Sequence, residues 1–213
     1  MSPYIIMMRK AINVPRVFLR VGLICVAAVV SGITAHAQSS PTAPFAAHRP
    51  SILFILADDL GYGDLGCYRQ TRIKTPNIDR LASQGMSFAD FYAGSTVCAP
   101  SRCALMTGLD TGHCRIRGNA NVPLKPEDLT VAEVLKSAGY RTGLIGKWGL
   151  GNENTTGVPQ KKGFDEFIGY LDQVHAHDYY TDYLWRYASP GPGKEGYDGR
   201  MNFPENSDGN KGL

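Results

Sequence analysis

The N-terminal segment of the sequence lacks acidic residues and lacks an apolar run long enough to cross a membrane. Positions 1–20 carry four basic side chains and no Asp or Glu. The apolar run at 21–30 is shorter than the ~20 residues that a membrane-spanning helix needs. Ala35 and Ala37 follow with the spacing of a signal-peptidase site. We predict a signal peptide over 1–37, and hence an exported protein, periplasmic or secreted, without a stable membrane span; an uncleaved membrane anchor is the alternative.

The remainder of the chain lacks an excess of charge of either sign. The whole sequence has 22 basic and 19 acidic side chains, but Arg9, Lys10, Arg16 and Arg20 belong to the predicted signal peptide. Cleavage after Ala37 leaves 18 basic side chains against 19 acidic ones, a net charge of −1. This balance gives no electrostatic reason to expect nucleic-acid binding, so any selectivity for an anion must come from a local site.

Cysteine is scarce in the 176 residues that would follow cleavage. These residues contain four, at positions 67, 98, 103 and 114. An exported chain can form disulfides, but no pairing follows from this spacing. The length suits one modest hydrophobic core, so we expect one folded unit over 51–213, preceded by a linker at 38–50 that is rich in Ser, Pro and Ala.

Apolar patterns along the chain predict alternating strands and helices. Predicted strands lie at 51–57, 86–92 and 141–146, the first with the continuous apolar character of a strand buried on both faces. Predicted helices lie at 76–85 and 131–138. The second is preceded by Thr130, which has capping-box spacing to Glu133. This order predicts an α/β fold with a mostly parallel sheet flanked by helices.

The sequence shows no internal repeat and no recognisable element at its end. From Ser189 onward it is rich in Pro and Gly, and no strand or helix pattern closes the domain before Leu213. We therefore expect the fold to be incomplete at its C-terminus.

Three groups of polar residues stand where ligands bind in α/β proteins, beyond the carboxyl ends of strands. Asp58 and Asp59 end the first predicted strand, and Lys147 ends a later one. Cys98 stands where a helix should begin, near free N–H groups and the positive end of the helix dipole, and Arg102 follows four residues later on the same face. Taken singly, the acids could be a solvated loop, the cysteine structural or redox-active, and the lysine solvent-facing.

The order and spacing of these groups resemble the sulfatase family. Positions 98–102 read Cys-Ala-Pro-Ser-Arg and 105–108 read Leu-Met-Thr-Gly, as in the family's first signature. Positions 139–148, Gly-Tyr-Arg-Thr-Gly-Leu-Ile-Gly-Lys-Trp, resemble the second signature. The segments 52–61 and 75–81 are also typical of the family. The resemblance covers about residues 49–187 and implies an alkaline-phosphatase-like fold, of which this chain holds the N-terminal part.

The resemblance implies roles for individual residues. Cys98 matches the cysteine that a separate maturation enzyme oxidises to formylglycine. Asp58 and Asp59 match ligands of a divalent cation, usually Ca²⁺ with Mg²⁺ possible, which the modified Cys98 would also contact. Arg102 matches the arginine that holds the formylglycine hydrate, and Lys147 matches a lysine that contacts sulfate. The implied activity is hydrolysis of a sulfate ester.

Two departures from the family pattern concern the site. The second signature often continues with histidine, but Gly149 stands at that position. His175 and His177 could supply the missing imidazole as substrate-binding residues, or they could be surface histidines in a Tyr-rich segment. The later part of the family's sequence, with further metal ligands, a lysine and a histidine, has no counterpart here, so a Ca²⁺ held by this chain would have an incomplete shell.

Two further interpretations stay open at this stage. The chain could be a phosphoester or phosphonate ester hydrolase of the same superfamily, some of whose members share the formylglycine. It could also be an inactive truncated fragment. The natural substrate, whether an aryl, carbohydrate or lipid sulfate, does not follow from the sequence.

Overall fold

The computed structural model describes residues 50–206, which form three α-helices and four β-strands. The helices are α1 (Pro76–Gln84), α2 (Cys98–Thr107) and α3 (Val131–Ser137). The strands are β1 (Gly143–Lys147), β2 (Glu166–Tyr170), β3 (Tyr183–Ala188) and β4 (Tyr197–Asn202). Short 3-10 helices lie at Tyr62–Asp64, Gly66–Tyr68, Pro159–Lys162, His175–His177 and Pro204–Asn206. The predicted signal peptide, and the predicted linker except its last residue, lie outside the described residues.

The four strands form one sheet in the order β1-β2-β3-β4. β1 and β2 are parallel, with Lys147 paired to Tyr170, whereas β2–β3 and β3–β4 are antiparallel. The α/β class is therefore confirmed, but the sheet that forms within residues 50–206 is mixed rather than mostly parallel. The reason is in the connections, because the eight residues at 189–196 that join β3 to β4 can reverse the chain but cannot carry it back for a parallel strand.

Two of the predicted strands do not form. Within the described residues, 51–57 and 86–92 have no strand partner, and the side chains of Leu53 and Ile55 are 78% and 64% exposed. An extended segment becomes a strand only when a neighbour accepts its backbone hydrogen bonds, and here none lies beside it. The prediction of a strand buried on both faces at 51–57 was therefore wrong for residues 50–206, where the segment is unpaired and mostly exposed.

The end of the described chain has more regular structure than the sequence indicated. β3 and β4 form a hairpin around the Pro- and Gly-rich segment, so the expectation that no strand follows Ser189 was wrong. The guanidinium of Arg200 on β4 lies 4.4 Å from the ring of Tyr183 and 4.8 Å from the ring of Trp185 on β3. These cross-strand contacts between aromatic and basic side chains favour the pairing.

The predicted helices agree with the structure. α1 begins with Pro76 in its first turn and is followed by Gly85, and α3 begins with the expected capping box. In that box the Thr130 hydroxyl accepts a hydrogen bond from the Glu133 N–H, and the Glu133 carboxylate accepts one from the Thr130 N–H at 2.8 Å. Local sequence was sufficient for these helices because their caps and apolar faces are encoded within one or two turns.

The hydrophobic core lies between α2, α3 and the parallel strand pair. Its largest member is Trp148, directly after β1, which packs edge-on against Phe164 with ring centroids 5.7 Å apart. The Trp148 indole N–H donates to the Gly157 carbonyl at 2.7 Å, so the one polar group of this buried ring has a hydrogen-bond partner. Other buried members are Ala99, Cys103, Cys114, Ile116, Leu124, Ala132, Leu150, Phe167 and Leu171.

The four cysteines within residues 50–206 are free thiols. Cys103 and Cys114 are fully buried in the core, whereas Cys67 and Cys98 are partly exposed. Burial raises the pKa of the Cys103 thiol to about 11, with the neighbouring Cys114 adding to the effect. Cys103 is therefore a neutral apolar side chain at neutral pH, and Cys98 differs from it in being accessible.

None of the helices formed within residues 50–206 combines the length and the apolar character that crossing a bilayer requires.

Asp165, next to the start of β2, gives the fold a dependence on pH. Its carboxylate accepts hydrogen bonds from the Thr142 N–H at 2.9 Å and hydroxyl at 3.1 Å and pairs with Lys136 at 2.7 Å. Burial alone would raise the pKa of this carboxyl, but the contacts with Lys136 and Thr142 outweigh it and the pKa is lowered. A lowered folded-state pKa contributes stability above the unfolded-state pKa, and that contribution is lost as the pH falls through the folded-state value.

We expect Asp165→Asn to lower the free energy of unfolding at pH 7 by about 1–3 kcal/mol, since a charged acceptor of three hydrogen bonds is removed. The loss should shrink as the pH falls below the unfolded-state pKa toward the lowered folded-state pKa of the Asp165 carboxyl. Urea unfolding at several pH values measures both, with Asp182→Asn, at an exposed position, as the control. A deficit that stays constant from pH 7 to pH 3 would contradict this account.

Candidate active site

Asp58, Arg102 and Lys147 meet at the carboxyl end of the parallel strand pair. Lys147 is the last residue of β1, and its ammonium lies 2.9 Å from one oxygen of the Asp58 carboxylate. The guanidinium of Arg102, on α2, lies 3.1 Å from the other oxygen. The sequence predicted that Asp58 and Lys147 each end a strand. Asp58 follows no strand within residues 50–206, but the structure still brings its carboxylate into contact with Arg102 and Lys147.

This cluster carries more buried positive than negative charge. The side chains of Lys147 and Arg102 are only 8% and 12% exposed, whereas that of Asp58 is 47% exposed. Burial alone would raise the pKa of the Asp58 carboxyl, but the hydrogen bond from Lys147 and the charges of Arg102 and Lys147 lower it, so Asp58 is ionised. One carboxylate cannot neutralise two buried cations, so the site is suited to a further anion.

Arg102 is held by the backbone as well as by Asp58. One guanidinium nitrogen donates to the Lys147 carbonyl at 2.7 Å, which ties α2 to the end of β1. Its Nε atom is buried and has no hydrogen-bond partner among the residues that the structure describes. The side chain is thus fixed in orientation and retains one buried donor, which is the arrangement expected of an anion-binding arginine.

Cys98 is the first residue of α2, as the sequence predicted, and Pro100 lies in the first turn. The expectation that free N–H groups surround Cys98 was only partly right. The Ala99 N–H donates to the side-chain oxygen of Asn119 at 2.9 Å, and Pro100 has no N–H to offer. The helix dipole remains at this end, but the backbone donors are largely used by the fold.

Asn119 is a residue of this site that the sequence did not indicate. It lies 20 residues from Ala99 in the chain, and its side-chain oxygen accepts a hydrogen bond from the Ala99 N–H in the first turn of α2. Val97, at the N-cap position, has no side-chain group that could accept such a bond. No local pattern connects the two positions, so only the folded chain shows that Asn119 stabilises the helix turn carrying Cys98.

Asp59 has a left-handed backbone conformation, with φ of +56°. This conformation is uncommon outside glycine, although Asp tolerates it better than most residues. Asp59 is exposed, whereas the Asp58 carboxylate contacts the two cations. Among residues 50–206, no group of three or more His, Cys, Asp or Glu side chains converges as a metal cluster.

The two histidines proposed as imidazole donors have different environments. The His175 ring lies between the rings of Tyr170 and Tyr183, with centroids 4.9 and 4.3 Å away, and its Nε2 contacts the Thr181 hydroxyl. His177 is exposed. His175 is therefore fixed by packing and only partly exposed, whereas His177 is exposed.

The fold and this site together define an α/β protein with a cluster of two buried cations and one carboxylate, beside a helix that begins with a partly exposed cysteine. A family model described as Sulfatase matches residues 50–203, and the chain belongs to the sulfatase family. The resemblance that the signatures indicated is therefore confirmed over nearly all of the described residues.

Similar proteins agree with this assignment. Human arylsulfatase A is 46% identical over 130 residues, which cover 58% of this chain and 25% of that protein. An N-acetylgalactosamine-6-O-sulfatase of Bacteroides thetaiotaomicron is 43% identical over 136 residues, covering 56% of this chain and 26% of that protein. The solved structure of the PsFucS1 sulfatase from Pseudoalteromonas has a TM-score of 0.51 at 27% identity, covering 68% of this chain and 34% of that one. The chain spans about a quarter of the length of these curated relatives.

Proposed function

We propose that this protein is a sulfuric ester hydrolase of the arylsulfatase type, with a formylglycine made from Cys98 as its nucleophile. The observation that carries the proposal is the convergence of Arg102 and Lys147 on Asp58 at the sheet edge, together with the position of Cys98 on the same helix as Arg102. Family membership and the names of the similar proteins support the sulfate ester as substrate class.

The residues of the cluster would have different roles in sulfate transfer. Lys147 and Arg102 bind the sulfate group and offset the negative charge that develops on its oxygens during transfer. Asp58 holds both cations in position, and the Lys147 carbonyl orients the guanidinium. Formylglycine, when present, supplies a hydrated aldehyde with two hydroxyls on one carbon, one to accept the sulfate and one to expel it.

The chemistry of the donor set fits a divalent cation in part. Asp58 and Asp59 offer hard carboxylate oxygens, which suit Ca²⁺ or Mg²⁺ better than zinc, but both oxygens of Asp58 already accept hydrogen bonds from Arg102 and Lys147 and would have to be shared with the cation. Ca²⁺ takes six to eight oxygens, so these two residues and the oxidised Cys98 side chain would supply only a share of the shell. When bound, the cation would act as a Lewis acid toward the sulfate oxygens.

Two further parts of the proposal concern maturation and location. A formylglycine-generating enzyme would have to recognise the Cys98–Arg102 segment, which the fold places in a helix, so recognition should precede folding. Export to the periplasm or beyond follows from the predicted signal peptide at 1–37, so the modification of Cys98 would take place before or during export.

Mass spectrometry of tryptic peptides tests the proposed nucleophile. The peptide 81–102 contains Cys98, and the adjacent peptide 103–115 contains Cys103 and Cys114 as an internal control. After co-expression with a maturation enzyme, we expect peptide 81–102 to lose about 18 Da, the difference between a thiol side chain and an aldehyde, and peptide 103–115 to keep both thiols.

The same preparation distinguishes the substrate classes. We expect turnover of an aryl sulfate to exceed that of an aryl phosphate diester. Preference for the phosphate diester by orders of magnitude would instead indicate a phosphoester hydrolase. A thiol that persists at Cys98 would contradict the proposed nucleophile.

A further inference from the structure

Gln173, in the segment after β2, is a buried amide without hydrogen bonds. The residue is 8% exposed, and neither its Nε2 nor its Oε1 has a partner among the residues that the structure describes. A buried primary amide normally uses most of its hydrogen-bonding capacity, because leaving it unpaired is costly. Both polar atoms of this amide can therefore pair with a group other than the described residues.

The Gln173 amide occupies the space next to the backbone of Gly149. A Cβ at position 149 would lie 1.5 Å from Nε2 and 2.8 Å from the amide carbon of Gln173, so no side chain at 149 could coexist with this conformer. Gly149 also has φ of +77°, which glycine adopts without strain. The long side chain from the segment after β2 thus fills the position that a residue at 149 would otherwise occupy.

This position adjoins the cationic cluster. β1 and β2 continue side by side past their ends, since the Trp148 N–H donates to the Tyr170 carbonyl and the Gly149 N–H donates to the Leu171 carbonyl, both at 2.9 Å. Gly149 follows Lys147 by two residues, so the Gln173 amide stands beside the strand end that carries the lysine. Ligands of open α/β sheets bind at this edge.

The orphaned donors of Gln173 and Arg102 match one kind of ligand. Arg102 Nε is a buried N–H without a partner in the described residues, and Gln173 Nε2 adds two more. Arg102 belongs to the cluster in which two buried cations face the single carboxylate of Asp58, and the Gln173 amide lies against Gly149, two residues past Lys147. A tetrahedral oxyanion presents several acceptor oxygens to such a set, whereas a cation or an apolar group would leave the donors unsatisfied.

We propose that Gln173 is a substrate-binding residue whose Nε2, which lies against Gly149, donates a hydrogen bond to an oxygen of the sulfate ester. The inference rests on the proposed function for the identity of the ester, but the contact itself is with the sulfate group. It assigns to the segment after β2 a direct part in the site, beyond the cysteine, arginine and lysine of the two signatures.

The test compares Gln173→Leu and Gln173→Glu with the parent in the full, matured chain. Leucine has nearly the same shape without polar atoms, and glutamate keeps the shape but loses the donors. Calorimetric titration with inorganic sulfate gives Kd, and aryl sulfate kinetics gives KM and kcat. Gln84→Leu, which changes an exposed glutamine on α1, is the matched control.

We expect Kd for sulfate to rise roughly 10- to 100-fold in Gln173→Leu, as for loss of a hydrogen bond to a charged group, and at least as much in Gln173→Glu. The melting temperature of Gln173→Leu should equal or exceed that of the parent, because replacing an unsatisfied buried amide with an apolar group of similar shape is neutral or stabilising. A merely structural glutamine would show the reverse, with lower stability and unchanged affinity.

The other outcomes also test whether Gln173 binds the sulfate group. Unchanged Kd in Gln173→Leu overturns the inference, and loss of binding in Gln173→Glu alone would show electrostatic proximity without a donated hydrogen bond and would overturn it as well. A parent that binds no sulfate overturns it too. If the parent binds sulfate through Gln173 but hydrolyses no aryl sulfate, the proposed contact is supported and the proposed function is contradicted. The failure of one proposal can therefore be distinguished from the failure of the other.

Discussion

Cys98→Ala is expected to reduce sulfate release from an aryl sulfate by about four orders of magnitude or more, since removal of a catalytic nucleophile has effects of this size. In the proposed function Cys98 is the source of the formylglycine, and neither Arg102 nor Lys147 could replace the hydroxyl that would accept the sulfate. The structure leads us to expect normal folding, because Cys98 lies outside the buried core that Cys103 and Cys114 occupy. Turnover of a chromogenic aryl sulfate and a urea unfolding curve measure the two effects separately.

Cys98→Ser sharpens this prediction. A serine hydroxyl can accept a sulfate group, but the side chain lacks the second hydroxyl that would expel it, so we expect at most one product per chain and a sulfated peptide 81–102. Cys67→Ala, which removes another partly exposed thiol, should retain parent turnover. Sustained turnover by Cys98→Ala would show that a different group is the nucleophile.

Trp148→Ala is expected to lower the free energy of unfolding by about 3–5 kcal/mol, the range for truncating a large buried aromatic side chain. Trp148 is 1% exposed, packs against Phe164 and satisfies the Gly157 carbonyl. Its removal leaves a cavity directly behind Lys147, so sulfate affinity should fall as well. Urea unfolding monitored by circular dichroism gives the stability change.

Trp148→Phe separates packing from hydrogen bonding. It keeps most of the ring but leaves the buried Gly157 carbonyl without its donor, so we expect a loss of about 1–3 kcal/mol. Tyr179→Ala, at a side chain that is 85% exposed, should stay within about 0.5 kcal/mol of the parent. Equal stability of Trp148→Ala and Tyr179→Ala would contradict the core described for this chain.

The parts of the fold that the sequence predicted well are those whose cause is local. α3 follows from a capping box between Thr130 and Glu133, and α2 begins at the Cys98 segment with a proline in its first turn. The segment 51–57 shows the opposite case. Its apolar character indicates burial, but whether it becomes a strand depends on a neighbour that local sequence does not name, and within residues 50–206 no such neighbour is present.

The hairpin of β3 and β4 was missed for a similar reason. The Pro- and Gly-rich segment at 189–196 suggested an interruption, whereas it is the turn between two strands held by Arg200 against Tyr183 and Trp185. A turn and a domain end share the same residue types, and only the pairing of the flanking strands separates them.

By itself the sequence determined the family, the candidate nucleophile Cys98 and the charged residues Asp58, Arg102 and Lys147, because signatures of fixed spacing carry that information. Only the tertiary structure decided that Asp58 joins Arg102 and Lys147, across 44 and 89 residues of chain. It also decided that Asn119 supports the turn of Cys98 and that the unpaired Gln173 amide lies against Gly149. The physical reason is that ion pairs and buried amides are set by packing between distant segments, which local patterns do not record.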